Sequence, residues 1–239
     1  MREVVLDTET TGLKHDDGDR LVEIGCIELV DGRPTGEKFH RYMNPDREVP
    51  EEAVRVHGLT TDRLQEEPRF VEIAEDLANF LGDAQLVIHN AEFDLAFINM
   101  ELRQVGRNTL EDNPVVDTLA KARRELPAKG YGGPFSLDAL CKHFGIADKA
   151  RGLHGALLDA DLLVKVYQKL SGFEEQIGMN LAAGGASNSL MDAASQTPGN
   201  AIPPRPNPLP QQVSEEETEA HKEFVATLGR KNKKSLWKY

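Results

Sequence analysis

Val4-Val5-Leu6-Asp7-Thr8-Glu9-Thr10-Thr11-Gly12 is an apolar run that ends in two acids and a turn. A short apolar run bounded by turn residues reads as a buried strand. Alternate side chains of an extended chain share a face, so Asp7 and Glu9 point the same way. Two adjacent carboxylates repel, and burying both is costly without a counter-charge. Hard divalent cations such as magnesium and manganese take oxygen ligands and would supply that charge. Asp-x-Glu alone also fits an exposed acidic turn after an edge strand, so the reading depends on further ligands elsewhere in the chain.

The chain has 239 residues, of which 39% are hydrophobic, enough for one substantial domain with extensions. Its net charge of −12 argues against a free-standing, tight nucleic-acid binder, which would carry a basic footprint. It leaves open an enzyme that a partner brings to its nucleic acid. Cys26 and Cys141 lie in apolar surroundings and read as free buried thiols of a reducing compartment. The start of the chain lacks the basic-then-apolar pattern of a leader, and no apolar run approaches the length needed to span a membrane. The expectation is a cytoplasmic protein without membrane contact.

Beyond the opening strand, Leu21 to Val30 alternates as a second strand. The Asp31-Gly32 turn leads to a third at Lys38 to Met43, a hairpin signal. Residues 50–57 open with proline and two acids, which favours a short helix stopped by Gly58. Pro68 starts a second helix, carrying Phe70, Ile73, Ala74, Leu77 and Phe80 at helical spacing. Ala84 to Ile88 reads as a strand, followed by His89-Asn90-Ala91-Glu92-Phe93-Asp94, with Asn90 as N-cap of a helix ending near Gly106. Val115 to Asp117 reads as a strand, Thr118 to Leu126 as a helix, Ser136 to His143 as a capped helix and Ala156 to Leu170 as the last helix. Hairpin strands first, then strands alternating with helices, predict an α/β fold with a mixed sheet and helices on its faces. Residues 182–213 are rich in Ala, Gly, Ser, Asn, Pro and Gln and read as part of a flexible linker. The predicted organisation is a domain over 1–173, a linker over 174–213 and a C-terminal segment over 214–239.

Asp94 falls in the first turn after a strand, where sheet enzymes place their chemistry. Asp159 lies in a helix otherwise apolar on most sides, and His154 stands just before that helix. Counted on an ideal helix from His154, Asp161 shares its face better than Asp159 does. Taken together, DTETTG, HNAEFD and HGALLD resemble, in order, the three signature motifs of the proofreading-type Asp-Glu-Asp-Asp-His exonucleases. The likeness covers about the first 172 residues and includes the connecting pieces VHGLT and SLDAL. Each motif alone is weak, whereas the ordered triple is specific.

The resemblance implies a ribonuclease H-like sheet and a 3′-5′ DNA exonuclease that proofreads for a replicative polymerase. It implies two divalent ions, Mg2+ or Mn2+, held by Asp7, Glu9, Asp94 and Asp159. Asp7, Glu9 and Asp159 would hold the first, Asp7 would bridge to the second, and Asp94 would support that one. His154 would be the general base; it lies ahead of the regular helix, so the motif's Asp159 is preferred to Asp161. Glu52 and His57 would contact the terminal nucleotide, Leu13 would wedge between the last bases, and Asp7, Glu9 and Asp159 would also touch substrate at the DNA 3′ terminus. Two ions spanning the attacked phosphate suit phosphodiester hydrolysis, and an imidazole with a pKa near 6.5 suits proton removal at cellular pH.

Two other readings compete: a stand-alone nuclease trimming RNA or single-stranded DNA, and an adaptor without activity. The presence of all five signature residues argues against the adaptor, and the tail argues for the replicase. The tail holds Phe224, Val225 and Leu228 at helical spacing and the chain's one tryptophan, Trp237. Aromatic anchors of this kind favour partner interfaces, and the resemblance implies that this end holds the polymerase's catalytic subunit. Gln176-Ile177-Gly178-Met179-Asn180-Leu181 resembles a sliding-clamp-binding peptide and equally fits plain linker. The likeness leaves room for a small accessory subunit.

Overall fold

The computed structural model describes residues 1–146 and 153–173. The linker, the Gln176–Leu181 peptide and the C-terminal segment lie outside the described residues. Five strands form one sheet in the order β3-β2-β1-β4-β5: β1 (Arg2–Thr10), β2 (Leu21–Val30), β3 (Arg33–Tyr42), β4 (Gln85–Ile88) and β5 (Val115–Asp117). β2 pairs antiparallel with β1 and with β3, whereas β4 runs parallel to β1 and to β5. The sheet is mixed, as the hairpin-then-alternation pattern predicts.

The helices are α1 (Glu51–His57), α2 (Thr61–Leu64), α3 (Phe70–Leu81), α4 (Ala91–Gln104), α5 (Thr118–Glu125), α6 (Leu137–Phe144) and α7 (Ala156–Ser171). The single turn α2 carries no periodic signal and escapes sequence reading. β3 begins five residues earlier than its apolar content suggests, because the turn fixes its start. Asp31 and Gly32 both take positive φ, 50° and 74°, the geometry of a two-residue hairpin turn.

β1 is buried on both faces. Val4 and Leu6 enter the core formed with α3 and α4, while Val5 packs with Ala160, Leu163, Val164 and Tyr167 of α7. The other side of α7 buries Leu162, Val166 and Leu170 against α5 and α6. Burial on two sides explains why this helix is apolar nearly all round. No described helix is long and apolar enough to cross a membrane.

Two local features set the ends of these elements at the site. Asn90 occupies the N-cap position of α4 but makes no side-chain cap bond; its backbone is left-handed, with φ 69° and ψ 56°. The expected cap is thus corrected: asparagine serves here because it tolerates that conformation. Asp117 caps the next helix and also holds Asn90. Its Oδ1 accepts from Leu119 N and Ala120 N at the start of α5 and from Asn90 N. The second feature is Gly25 of β2, opposite Asp7 in the β1–β2 register. A Cβ there would lie 2.3 Å from Leu157 N and 2.5 Å from the Ala156 carbonyl carbon. Only glycine lets the first turn of α7 rest on the sheet at this point.

Gly25→Ala must therefore push α7 off β2 and is expected to cost about 1–3 kcal/mol of stability. Gly132→Ala, where a Cβ would meet nothing within 4 Å, is expected to stay within about 0.5 kcal/mol of the parent. Urea unfolding midpoints of the two variants check the contrast, and equal midpoints would refute the close-approach role.

Candidate active site

Asp7, Glu9, Asp94, His154 and Asp159 line one cavity of about 230 Å³, with Thr8, His89, Asn90, Phe93, Ser136, Leu137 and Asp138. Its position follows from the fold. β1 brings Asp7 and Glu9, the first turn of α4 brings Asp94, and the first turn of α7 brings Asp159. Glu9, His154 and Asp159 each offer a ligand atom within 4.8 Å of the others. The His154 Nδ1 lies 2.9 Å from Asp159 Oδ2, with Asp159 buried and His154 43% exposed. Asp161 instead pairs with Lys165 near the surface. His154 precedes Gly155, the N-cap of α7, so counting helical angles from it misleads.

Asp94 is almost fully buried and accepts a 2.7 Å hydrogen bond from the Thr8 hydroxyl. Burial lifts its pKa to about 7 against the pull of the Thr8 bond. Among the described residues, the cavity wall carries five carboxyl groups, counting Asp138, and neither lysine nor arginine. A concave wall of this composition fits hard, oxygen-seeking cations.

A second cavity of about 440 Å³ shares Thr8, Glu9 and Phe93 with the first. It is lined further by Thr10, Thr11, Gly12, Leu13, Asp19, Pro50, Glu52, Ala53, Val56 and His57. Leu13 is 81% exposed. Its loop folds around Asp19, which accepts from the Thr11 hydroxyl and Lys14 N and pairs with Arg47. Glu52 stands at the lip and pairs with Arg55. His57 is buried; its Nδ1 accepts from Leu59 N, while its Nε2 has no hydrogen-bond partner among the described residues.

The expected metal-binding, catalytic and substrate-contacting residues Asp7, Glu9, Leu13, Glu52, His57, Asp94, His154 and Asp159 therefore border two adjoining cavities. Sequence reading missed Val56, Asp138 and His89. Val56 stands beside His57 in the quoted VHGLT, and Asp138 sits in the SLDAL piece, so both were visible but unassigned. Phe93 packs against the core and lines both cavities.

Residues 4–167 match the model of a family described as RNase T, exonuclease, and the chain belongs to this exonuclease family. It is similar to proteins named DNA polymerase III subunit epsilon. That of Rickettsia felis is 40% identical over 233 residues, covering 95% of this chain and 97% of that protein. That of Escherichia coli K12 is 43% identical over 178 residues, covering 72% of each. Within the exonucleases, the chain thus belongs with the DNA polymerase III epsilon subunits. Among solved structures it resembles exonuclease X in complex with 5′ overhanging duplex DNA, with TM-score 0.52, 26% identity and coverage of 71% of this chain and 93% of that one. It also shares the fold of Escherichia coli exonuclease I in a single-stranded DNA complex, with TM-score 0.63, 19% identity and coverage of 76% of this chain and 43% of that one.

Burial holds the His57 imidazole below its ordinary 6.5, the Thr10 backbone opposing this in part. A base depressed in the folded state stabilises the fold fully above its unfolded pKa; that contribution is lost as pH falls through the folded value. The unfolding free energy should therefore drop more steeply for the parent than for His57→Gln between about pH 6.5 and pH 5. Parallel curves from denaturant titrations across that range would remove His57 as the responsible group.

Proposed function

We infer that this protein is the 3′-5′ exonuclease that proofreads for DNA polymerase III, with Asp7, Glu9, Asp94 and Asp159 as metal ligands and His154 as general base. The observation that carries this reading is that the two cavities adjoin and share Thr8, Glu9 and Phe93. An acidic chamber able to hold cations lies beside a partly apolar one able to hold a terminal nucleotide.

Bound Mg2+ or Mn2+ would acidify the attacking water and stabilise the departing 3′-oxygen. The chain's own groups do the rest. His154, beside Glu9 and Asp159, takes the water's proton. The oxygen bonds to phosphorus, the P–O3′ bond breaks, and the shortened strand regains its 3′-hydroxyl by protonation from solvent. The released product is a deoxynucleoside 5′-monophosphate. Leu13, Val56 and Phe93 offer apolar surface to the terminal bases, Glu9 accepts from the 3′-hydroxyl, and the buried Nε2 of His57 offers a donor to the nucleotide. Glu52 contributes at the rim.

The same reading makes residues 174–213 a linker and 214–239 the segment that holds the polymerase's catalytic subunit, in the cytoplasm. The Gln176–Leu181 peptide would add a weaker hold on the sliding clamp. Tethering suits a chain with a net charge of −12, since a linked partner supplies local substrate at about millimolar effective concentration.

Asp7→Ala should abolish Mg2+-dependent release of mononucleotides from a single-stranded oligonucleotide while thermal unfolding stays cooperative. Wild-type activity in that variant would end the metal assignment. His154→Ala should bind Mn2+ as the parent does but react about 10²–10⁴-fold more slowly; loss of metal binding first would reassign His154 as a ligand. Truncation after Gly172 should leave hydrolysis of a short oligonucleotide nearly unchanged and abolish co-purification with polymerase. Retained co-purification would move that interface onto the folded domain.

A further inference from the structure

The segment bearing His154 is attached to the helix that borders the nucleotide cavity. The His154 N–H donates to the Val56 carbonyl at 3.0 Å. One residue earlier, Leu153 lies against Gly58, where a Cβ would meet Leu153 Cδ1 at 2.6 Å. Gly58 ends α1 with φ 77°, so glycine is favoured there by backbone and by contact alike. Glu52, Ala53, Val56 and His57 of the same short helix line the nucleotide cavity.

Leu153 is half exposed and belongs to none of the described core clusters. Its contact with Gly58 is therefore not explained by core packing. We propose that Leu153, with the Val56–His154 hydrogen bond, is a positioning device that ties α1 to the His154 imidazole, so that seating the terminal nucleotide against α1 sets where the base stands. The inference rests on the reading of His154 as general base. A nucleotide bearing on Val56 and His57 bears on the carbonyl that holds the His154 amide and on the glycine beneath Leu153. A displacement of about 1 Å at a reacting group is enough to cost about 10²-fold in rate, so a tether of two contacts has leverage without touching substrate.

The test uses the full chain carrying Leu153→Ala or Leu153→Met, with Mg2+ and a short single-stranded deoxyoligonucleotide. In Leu153→Ala, kcat should fall about 10- to 100-fold while KM stays within about twofold. Leu153→Met, which conserves volume, should return kcat to within about threefold of the parent. With histidine side chains isotopically labelled, the His154 resonance, identified by its loss in His154→Gln, should shift when thymidine 5′-monophosphate is added to the parent already saturated with Mg2+. In Leu153→Ala the nucleotide should still bind, seen at other resonances, while the His154 signal stays where it was. A parent-like kcat in Leu153→Ala, or a His154 signal that follows the nucleotide as in the parent, overturns the coupling. His154→Gln run in parallel separates the two levels. If it is slow while Leu153→Ala is parent-like, only the coupling fails; if it is itself parent-like, the general-base reading fails.

Discussion

The site depends on one close approach, that of the first turn of α7 to β2 at Gly25. The β1–β2 register places Gly25 opposite Asp7 and Glu23 opposite Glu9. Any side chain at Gly25 would collide with backbone of Ala156 and Leu157, and backbone cannot rotate aside as a side-chain tip can. With glycine there, α7 settles low enough for Asp159, two residues after Leu157, to come within ligand distance of Glu9. The same settling brings Gly155 over the Glu23 carboxylate, whose oxygens lie 3.9 Å from where a Gly155 Cβ would sit. Glu23 is buried and its Oε1 lies 2.7 Å from His40 Nε2. A carboxylate beneath a helix N-terminus is favoured by the helix dipole. One missing methyl group thus lets three elements meet.

Crowding acids costs free energy, and the surrounding structure has to absorb it. Lys and Arg are absent from the described wall of the acidic cavity, while many of the arginines elsewhere are engaged with acids. Arg20 forms a two-pronged pair with the buried Glu101, both distances 2.6 Å, and Arg47 and Arg55 pair with Asp19 and Glu52 beside the larger cavity. Among the described residues, these pairs hold the walls around the proposed site. Asp94 shows the cost directly: burial raises its carboxyl pKa even though Thr8 donates to it. Held by β1 on one side and by the first turn of α4 on the other, it cannot swing out to water as a surface carboxylate would.

Much of this was legible in the sequence, for identifiable reasons. Strands buried on both faces write continuous apolar runs, so β1 and β4 were plain. The ordered acids pointed to one site because strand alternation fixes Asp7 and Glu9 on one face whatever the rest does. The choice between Asp159 and Asp161 was not legible from helical geometry, since it turns on where α7 starts, and Gly155 gives only a weak signal as an N-cap. Asn90 holds the N-cap position of α4 as the sequence suggests, but through its left-handed backbone and not its side chain, and its own N–H is held by Asp117, 27 residues away. Long-range choices of that kind leave no local pattern. Gly25 illustrates the same limit: a glycine in a strand is usually a weakness, and only the packed helix shows why it stands there.

The wall that would meet the substrate is apolar where it would meet the bases. Leu13 and Val56 are exposed side chains of a kind usually buried, and both border the larger cavity beside Phe93. Apolar and aromatic surfaces accept any base, because every base presents a π-face, so such a wall is tolerant of sequence. On the proposed reading that tolerance is required, since an erroneous nucleotide can carry any of the four bases. The wall can engage only a base that has left its stack, and unstacking costs least at a mismatch. Selection against errors then needs no recognition of the wrong base itself. It follows from the free energy of fraying the end, which the correct pair resists and the mismatch does not, with the acidic chamber acting on whichever end arrives.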